Sequence, residues 1–211
     1  MNAEEVLAHL NSISDRTRLE GMSRYGIKVD LALGVSMPEM RAFARSLGKD
    51  HGLAMDLWRT GVHEALILSS LLAESEKLTE EQTKEMVRGF DSRDLCDQCC
   101  SNLFSWSLLG FQKSLEWSER NEEFQKRAGF ANMAALAVHA KGLRHEELQL
   151  LLDAVIRESH DDRDFVRKAV NWALRQIDKR GTCVATGWPS TRPRGSWPMA
   201  TGPSGGWLRT S

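Results

Sequence analysis

Apolar residues recur along this chain at intervals of three and four, the period of a helix with one buried face. Segments 2–12, 15–24, 51–60, 63–75, 121–140 and 145–158 carry that spacing. Four more helices announce themselves by their ends. Ser36-Met37-Pro38-Glu39 is a capping box with proline in the first turn, and it opens a helix with Met40, Phe43, Ala44 and Leu47 on one side that stops at Gly48. Thr79-Glu80-Glu81-Gln82 is a second box, starting a helix that runs to about Gly89. Ser92 is placed to cap a third through Phe104, and Asp161 or Asp162 a fourth from about Arg163 to Lys179. Gly61 and Gly142 mark further stops. β-Branched runs are few, and Asn-Gly and Asp-Gly hairpin signals are absent.

The pattern predicts an all-α chain of about ten helices in pairs spaced roughly every 35–45 residues, which suits a HEAT-like helical-repeat solenoid. A compact helical bundle has the same periodicity and stays open as the alternative. The helical domain is expected over residues 1–181. Residues 182–211 differ: they contain no Asp, Glu or Lys, and they hold four of the five prolines and three of the seven tryptophans (Trp188, Trp197 and Trp207). Glycine and proline interrupt every period there, so an irregular or disordered tail is expected. So abrupt a change after a regular helix is what a shifted reading frame or altered end would produce.

Composition adds little to this picture. A hydrophobic fraction of 41%, a charged fraction of 27% and a net charge of −1 are those of an ordinary globular protein. Near-zero net charge does not exclude a nucleic-acid partner, because phosphate affinity depends on where the cations lie. The start, Met1-Asn2-Ala3-Glu4-Glu5-Val6, lacks the layout of a secretory signal, and the longest apolar stretch, near Ala65 to Ala73, is too short to span a bilayer. A cytoplasmic location with reduced cysteines and no membrane contact is expected.

Candidate chemistry lies on three predicted helices. Cys96, Cys99 and Cys100 share one helix face. Cys96-Asp97-Gln98-Cys99 has the spacing of a redox or zinc half-site, but the remaining cysteine, Cys183, lies in the tail and the six histidines show no ligand spacing. Three small side chains packed in a core are the expectation, with no metal and no cofactor. Asp97 lies about 100° around the helix from Cys96 and shares a face with Arg93, Ser101 and Phe104. By itself that carboxylate suggests only an exposed Arg93–Asp97 pair. Arg127 rises from a face of small and apolar residues (Phe124, Ala131, Ala134, Val138), so it needs an anion, either an internal carboxylate or a ligand phosphate. On the last regular helix Lys168, Trp172, Arg175 and Lys179 form a basic stripe holding one aromatic, beside a core face of Val166, Val170, Ala173, Leu174 and Ile177. Such a stripe can hold phosphates and stack on a base or sugar. It can equally be a core-margin tryptophan among solvated lysines.

From Tyr25-Gly26-Ile27 and Leu33-Gly34-Val35-Ser36-Met37-Pro38-Glu39-Met40-Arg41 to about Arg180, the chain resembles the AlkD-like family of DNA alkylation-repair glycosylases, built from HEAT-like repeats. The family's Trp-Asp-x-x-Asp motif, with a catalytic last carboxylate, corresponds to Arg93-Asp94-Leu95-Cys96-Asp97. Its site arginine corresponds to Arg127 in Lys126-Arg127-Ala128, and the tryptophan of its Lys-Ala-x-x-Trp-x-Leu-Arg segment to Trp172, with Lys168, Leu174 and Arg175 in place. Two departures stand out: Arg93 replaces the motif's aromatic, and the tail replaces the family's last helices. The resemblance implies double-stranded DNA with alkylated purines as partner. It implies hydrolysis of the N-glycosidic bond of cationic N3- or N7-alkylated purines, with Asp97 catalytic and Arg93, Arg127, Lys168, Trp172, Arg175 and Lys179 contacting substrate or DNA. The competing class is a non-catalytic HEAT-like scaffold that binds DNA or protein, and a weaker third is a redox module using Cys96 and Cys99.

Overall fold

A computed structural model describes residues 1–180. The expectations placed on the tail at 182–211, including its tryptophans and Cys183, lie outside the described residues. Among those described there are eleven α-helices and no strand. They are α1 (Ala3–Ser12), α2 (Leu19–Arg24), α3 (Met37–Leu47), α4 (His51–Trp58), α5 (His63–Leu72), α6 (Glu80–Arg88), α7 (Arg93–Asn102), α8 (Gly110–Ser118), α9 (Glu123–His139), α10 (His145–Arg157) and α11 (Asp164–Asp178). No described helix is long and apolar enough to cross a membrane.

The helices stack as a HEAT-like repeat array. Helices α3, α5, α7, α9 and α11 form a row in which each packs on the next, while α4, α8 and α10 pair with α5, α9 and α11. Most ends are those expected from the caps. Both predicted capping boxes form, Ser36 with Glu39 and Thr79 with Gln82. Gly48 and Gly61 end their segments at φ of 75° and 70°, where a Cβ would be strained.

Four local expectations are corrected. Segment 15–24 divides into a 3-10 turn (Arg16–Arg18), capped by the Asp15 side chain, and the short α2. Ser92 holds the cap position of α7, but its hydroxyl makes no capping bond. Arg163, not Asp161 or Asp162, holds the cap position of α11 and makes no side-chain capping bond; its backbone N–H and guanidinium donate to Asp161. Helix α8 has no counterpart in the apolar pattern. Its buried face includes Lys113, Ser114 and Ser118 beside Trp117, and the Lys113 ammonium bonds Glu80 and Glu116, both at 2.7 Å.

One apolar cluster runs from α1 to α9 and a second joins α9, α10 and α11; Trp172 packs against both. Helix α9 is the hub, in contact with α6, α7, α8, α10 and α11. Its small residues allow this. A Cβ at Gly129 would come within 2.5 Å of the Ser118 backbone nitrogen, so any side chain there would push α8 away.

Candidate functional site

The site is built on three consecutive helices of the row, α7, α9 and α11. The α7–α9 contact is made by the cysteines. Cys96, Cys99 and Cys100 are fully buried, with the Cys96 and Cys100 thiols directed at the Phe124 and Ala128 carbonyls of α9. Burial pushes the Cys99 and Cys100 thiols well above their ordinary pKa. Such thiols are inert packing groups, which removes the basis for a redox module.

With the thiol face locked on α9, the next residue around α7, Asp97, comes against Arg127. The guanidinium grips the carboxylate through Nε to Oδ1 (3.1 Å), Nη2 to Oδ1 (2.9 Å) and Nη2 to Oδ2 (2.7 Å). Its Nη1 donates to the Phe165 carbonyl at the start of α11 (2.5 Å). One side chain therefore ties all three helices together. The Arg127 side chain is only 3% exposed and that of Asp97 26%, so the pair opens outward at its acidic end. Of the two partners open to Arg127 in the sequence, the internal carboxylate is the one found. Asp97 pairs with it and not with Arg93, because a fork held by α9 supplies two parallel bonds that a neighbour on the same helix does not. Loss of water raises the Asp97 pKa above the usual aspartate value, although Arg127 and, at longer range, Arg93 pull it down.

In front of Asp97 lies a cavity of about 350 Å³ lined by Arg93, Asp94, Asp97, Gln98, Arg127, Lys168 and Trp172. Five of the seven expected site residues are thus brought together from segments remote in sequence. The other two, Arg175 farther along α11 and Lys179 just past its end, are exposed and do not line the cavity. Helical geometry explains the split, since Arg175 lies two turns beyond Lys168 and the cavity ends at Trp172. Lys168 is exposed at the rim, with its ammonium 3.6 Å from Asp164.

Two wall residues, Asp94 and Gln98, were not among the expected site residues. The Asp94 Oδ2 is 2.8 Å from Nε2 of His63, which opens α5 and is buried. Burial disfavours the imidazolium, but the bond and charge of Asp94 outweigh it, and the His63 pKa is raised. In Asp94 the same pairing overcomes desolvation and lowers the carboxyl pKa. The only trace of this pair in the sequence is the first carboxylate of the Asp94–Asp97 motif; nothing near His63 marks it.

The family model for DNA alkylation repair enzymes matches residues 6–183. The chain belongs to the DNA alkylation repair enzyme family. The match takes in every element that builds the cavity and stops at the beginning of the segment that sequence set apart as a tail. No curated protein matches the chain. A solved structure described as "a new family of proteins related to the HEAT-like repeat DNA glycosylases with affinity for branched DNA structures" superimposes with a TM-score of 0.78, at 17% identity, over 89% of this chain and 80% of that one. At that identity the likeness is one of fold, and it agrees with the row-and-partner stacking of this family member.

Proposed function

We propose that the protein is a monofunctional DNA glycosylase that hydrolyses the N-glycosidic bond of cationic N3- or N7-alkylated purines. The observation that carries this reading is the Asp97 carboxylate, fixed by a buried arginine at the foot of a cavity with an indole wall and a cationic rim. An alkylated purine already bears positive charge, so the glycosidic electron pair leaves with the base and neutralises it. Positive charge then builds on the deoxyribose. A preorganised carboxylate facing that centre stabilises it, and a water that adds to the sugar carbon releases its proton to solvent or to the carboxylate.

Asp97 suits the task because only its Oδ1 takes two Arg127 bonds. Oδ2 takes one and keeps acceptor capacity for the sugar or the water. Arg127 is the positioning group for Asp97, since its donors face the carboxylate and the Phe165 carbonyl. Trp172 offers its π-face to the cationic nucleotide. Lys168 and Arg93 meet phosphates at the rim, and Arg175 and Lys179 meet phosphates farther along α11.

The test is release of 7-methylguanine from methylated duplex DNA by the wild type and by Asp97→Asn. The reading requires release by the wild type and loss in the variant, with DNA affinity nearly retained. Equal rates would overturn it. A second reading, a DNA-binding scaffold without base excision, is favoured by Arg93, a guanidinium in the cavity wall that competes for the space a nucleotide would fill. The affinity for branched DNA described for the structural relative points the same way. Tight binding of a four-way junction with no base release from methylated DNA would establish that second reading.

A further inference from the structure

A second recess, of about 270 Å³, lies along α3 and is lined by Arg41, Arg45 and Lys49 together with Ala44, Gly48 and Leu71. No carboxylate lines it. A side-chain contact links this recess to the cavity: Arg41 Nη2 donates to Oε1 of Gln98 at 3.2 Å, and Gln98 is itself a cavity wall. The two recesses therefore adjoin across α3 and α7.

The cations here differ from most others among the described residues. Lys113, Lys126, Arg127 and Arg163, among many, are spent on carboxylates within 4 Å. Among the described residues Arg45 has no such partner, Arg41 has only the neutral Gln98 amide, and Arg93, at the near side of the cavity, has none. Lys49 is committed at the far end, donating to the Ala73 carbonyl at 2.8 Å. Arg41 and Arg45 sit one turn apart on α3, a rise of about 6 Å, and both open onto the same recess. Unpaired guanidinium groups over a shallow cleft match the charge and the forked geometry of phosphate oxygens.

We infer that Arg41 and Arg45 form a phosphate seat for a DNA strand that leaves the cavity past Gln98 and crosses α3. The seat rests on the reading of the cavity as a DNA site, and it supplies affinity and register but no chemistry. It makes the DNA track continuous from α11 through α7 to α3, with Arg93 at its midpoint.

The experiment uses the full chain, a fluorescein-labelled short duplex and the variants R41Q/R45Q and R41K/R45K. Anisotropy titrations at several salt concentrations give Kd and the salt slope, and single-turnover assays on methylated duplex at saturating protein give the excision rate. For R41Q/R45Q the expected result is a Kd raised about tenfold or more at low salt and a salt slope shallower by about 1.8, from two lost phosphate contacts. The saturated excision rate should match the wild type, and R41K/R45K should recover most of the slope. An unchanged Kd and slope in R41Q/R45Q, with a wild type that binds and excises, would overturn the seat and leave the glycosylase reading standing. A wild type that binds but does not excise, with the slope still reduced in R41Q/R45Q, would support the seat and remove the glycosylase reading. A wild type with no affinity for DNA would overturn both.

Discussion

Lys126 and Arg127 are neighbours on α9, and each forms an inward ion pair, yet the surroundings of the two pairs are opposite in kind. The Lys126 ammonium meets Glu158 at 2.6 Å and Asp161 at 3.2 Å, and those carboxylates are further bound by Arg157 and Arg163. Two further cations meet the two acids, and Arg157 carries the network on to Glu119. Arg127 meets a single carboxylate, and beyond that carboxylate lies open space rimmed by Arg93, Lys168 and Trp172. Buried ionic pairs are therefore not in themselves evidence of a site, since in the Lys126 network each acid is met by a second cation. What separates the two is whether an acceptor is left facing a space that a ligand can fill.

This contrast can be broken or sharpened by measurement. The largest effect is expected for Arg127→Ala, which strands Asp97 without its counter-ion and frees the Phe165 carbonyl. Removing one partner of a buried pair costs about 3–5 kcal/mol, so denaturant unfolding should show a loss of that size. Lys126→Ala should cost less, about 1–3 kcal/mol, because Arg157 and Arg163 continue to balance Glu158 and Asp161. Equal losses would mean that the two pairs are held alike.

Asp97→Asn should cut 7-methylguanine release by about 100- to 1000-fold, the scale for removing a single preorganised electrostatic group. Glu158→Gln, on the other side of α9, should leave the excision rate unchanged. Because the Asp97 pKa is raised and the reaction needs the ionised form, activity should fall on acidification at a pH above the ordinary aspartate value. A pH–rate profile that stays flat through that range would count against Asp97 as the acting group.

A smaller effect concerns the cavity wall. His63 has a raised pKa in the fold, so its pairing with Asp94 contributes stability in full below the unfolded histidine value and loses it as pH rises through the folded one. Asp94→Asn should therefore lower Tm more at pH 6 than at pH 8.5, and thermal melts at the two pH values check this. The smallest effect is expected for Lys168→Gln, which should make the salt dependence of DNA binding shallower by about 1. A change of similar size in Lys126→Gln would blur the distinction between a cation locked inside the fold and one exposed at the cavity rim.

Some of this was fixed by local sequence. The capping boxes at Ser36 and Thr79, the stops at Gly48 and Gly61, and the apolar spacing of α9 and α11 depend on residues within a turn or two of each other, so they are readable from one strand of text. Asp97 could be placed about 100° around the helix from the thiol face for the same reason. Helix α8 escaped because its buried face includes a lysine, which looks like a surface residue until Glu80 is found beside it.

Three things required the folded chain. One is the choice of anion for Arg127, since a carboxylate thirty residues away and a ligand phosphate satisfy a buried guanidinium equally well until distances exist. Another is the division of the α11 stripe, in which Lys168 and Trp172 reach the cavity and Arg175 does not. The last is the difference between paired and unpaired cations: charge is additive along a sequence, but its neutralisation depends on a few ångströms between residues that only packing brings together.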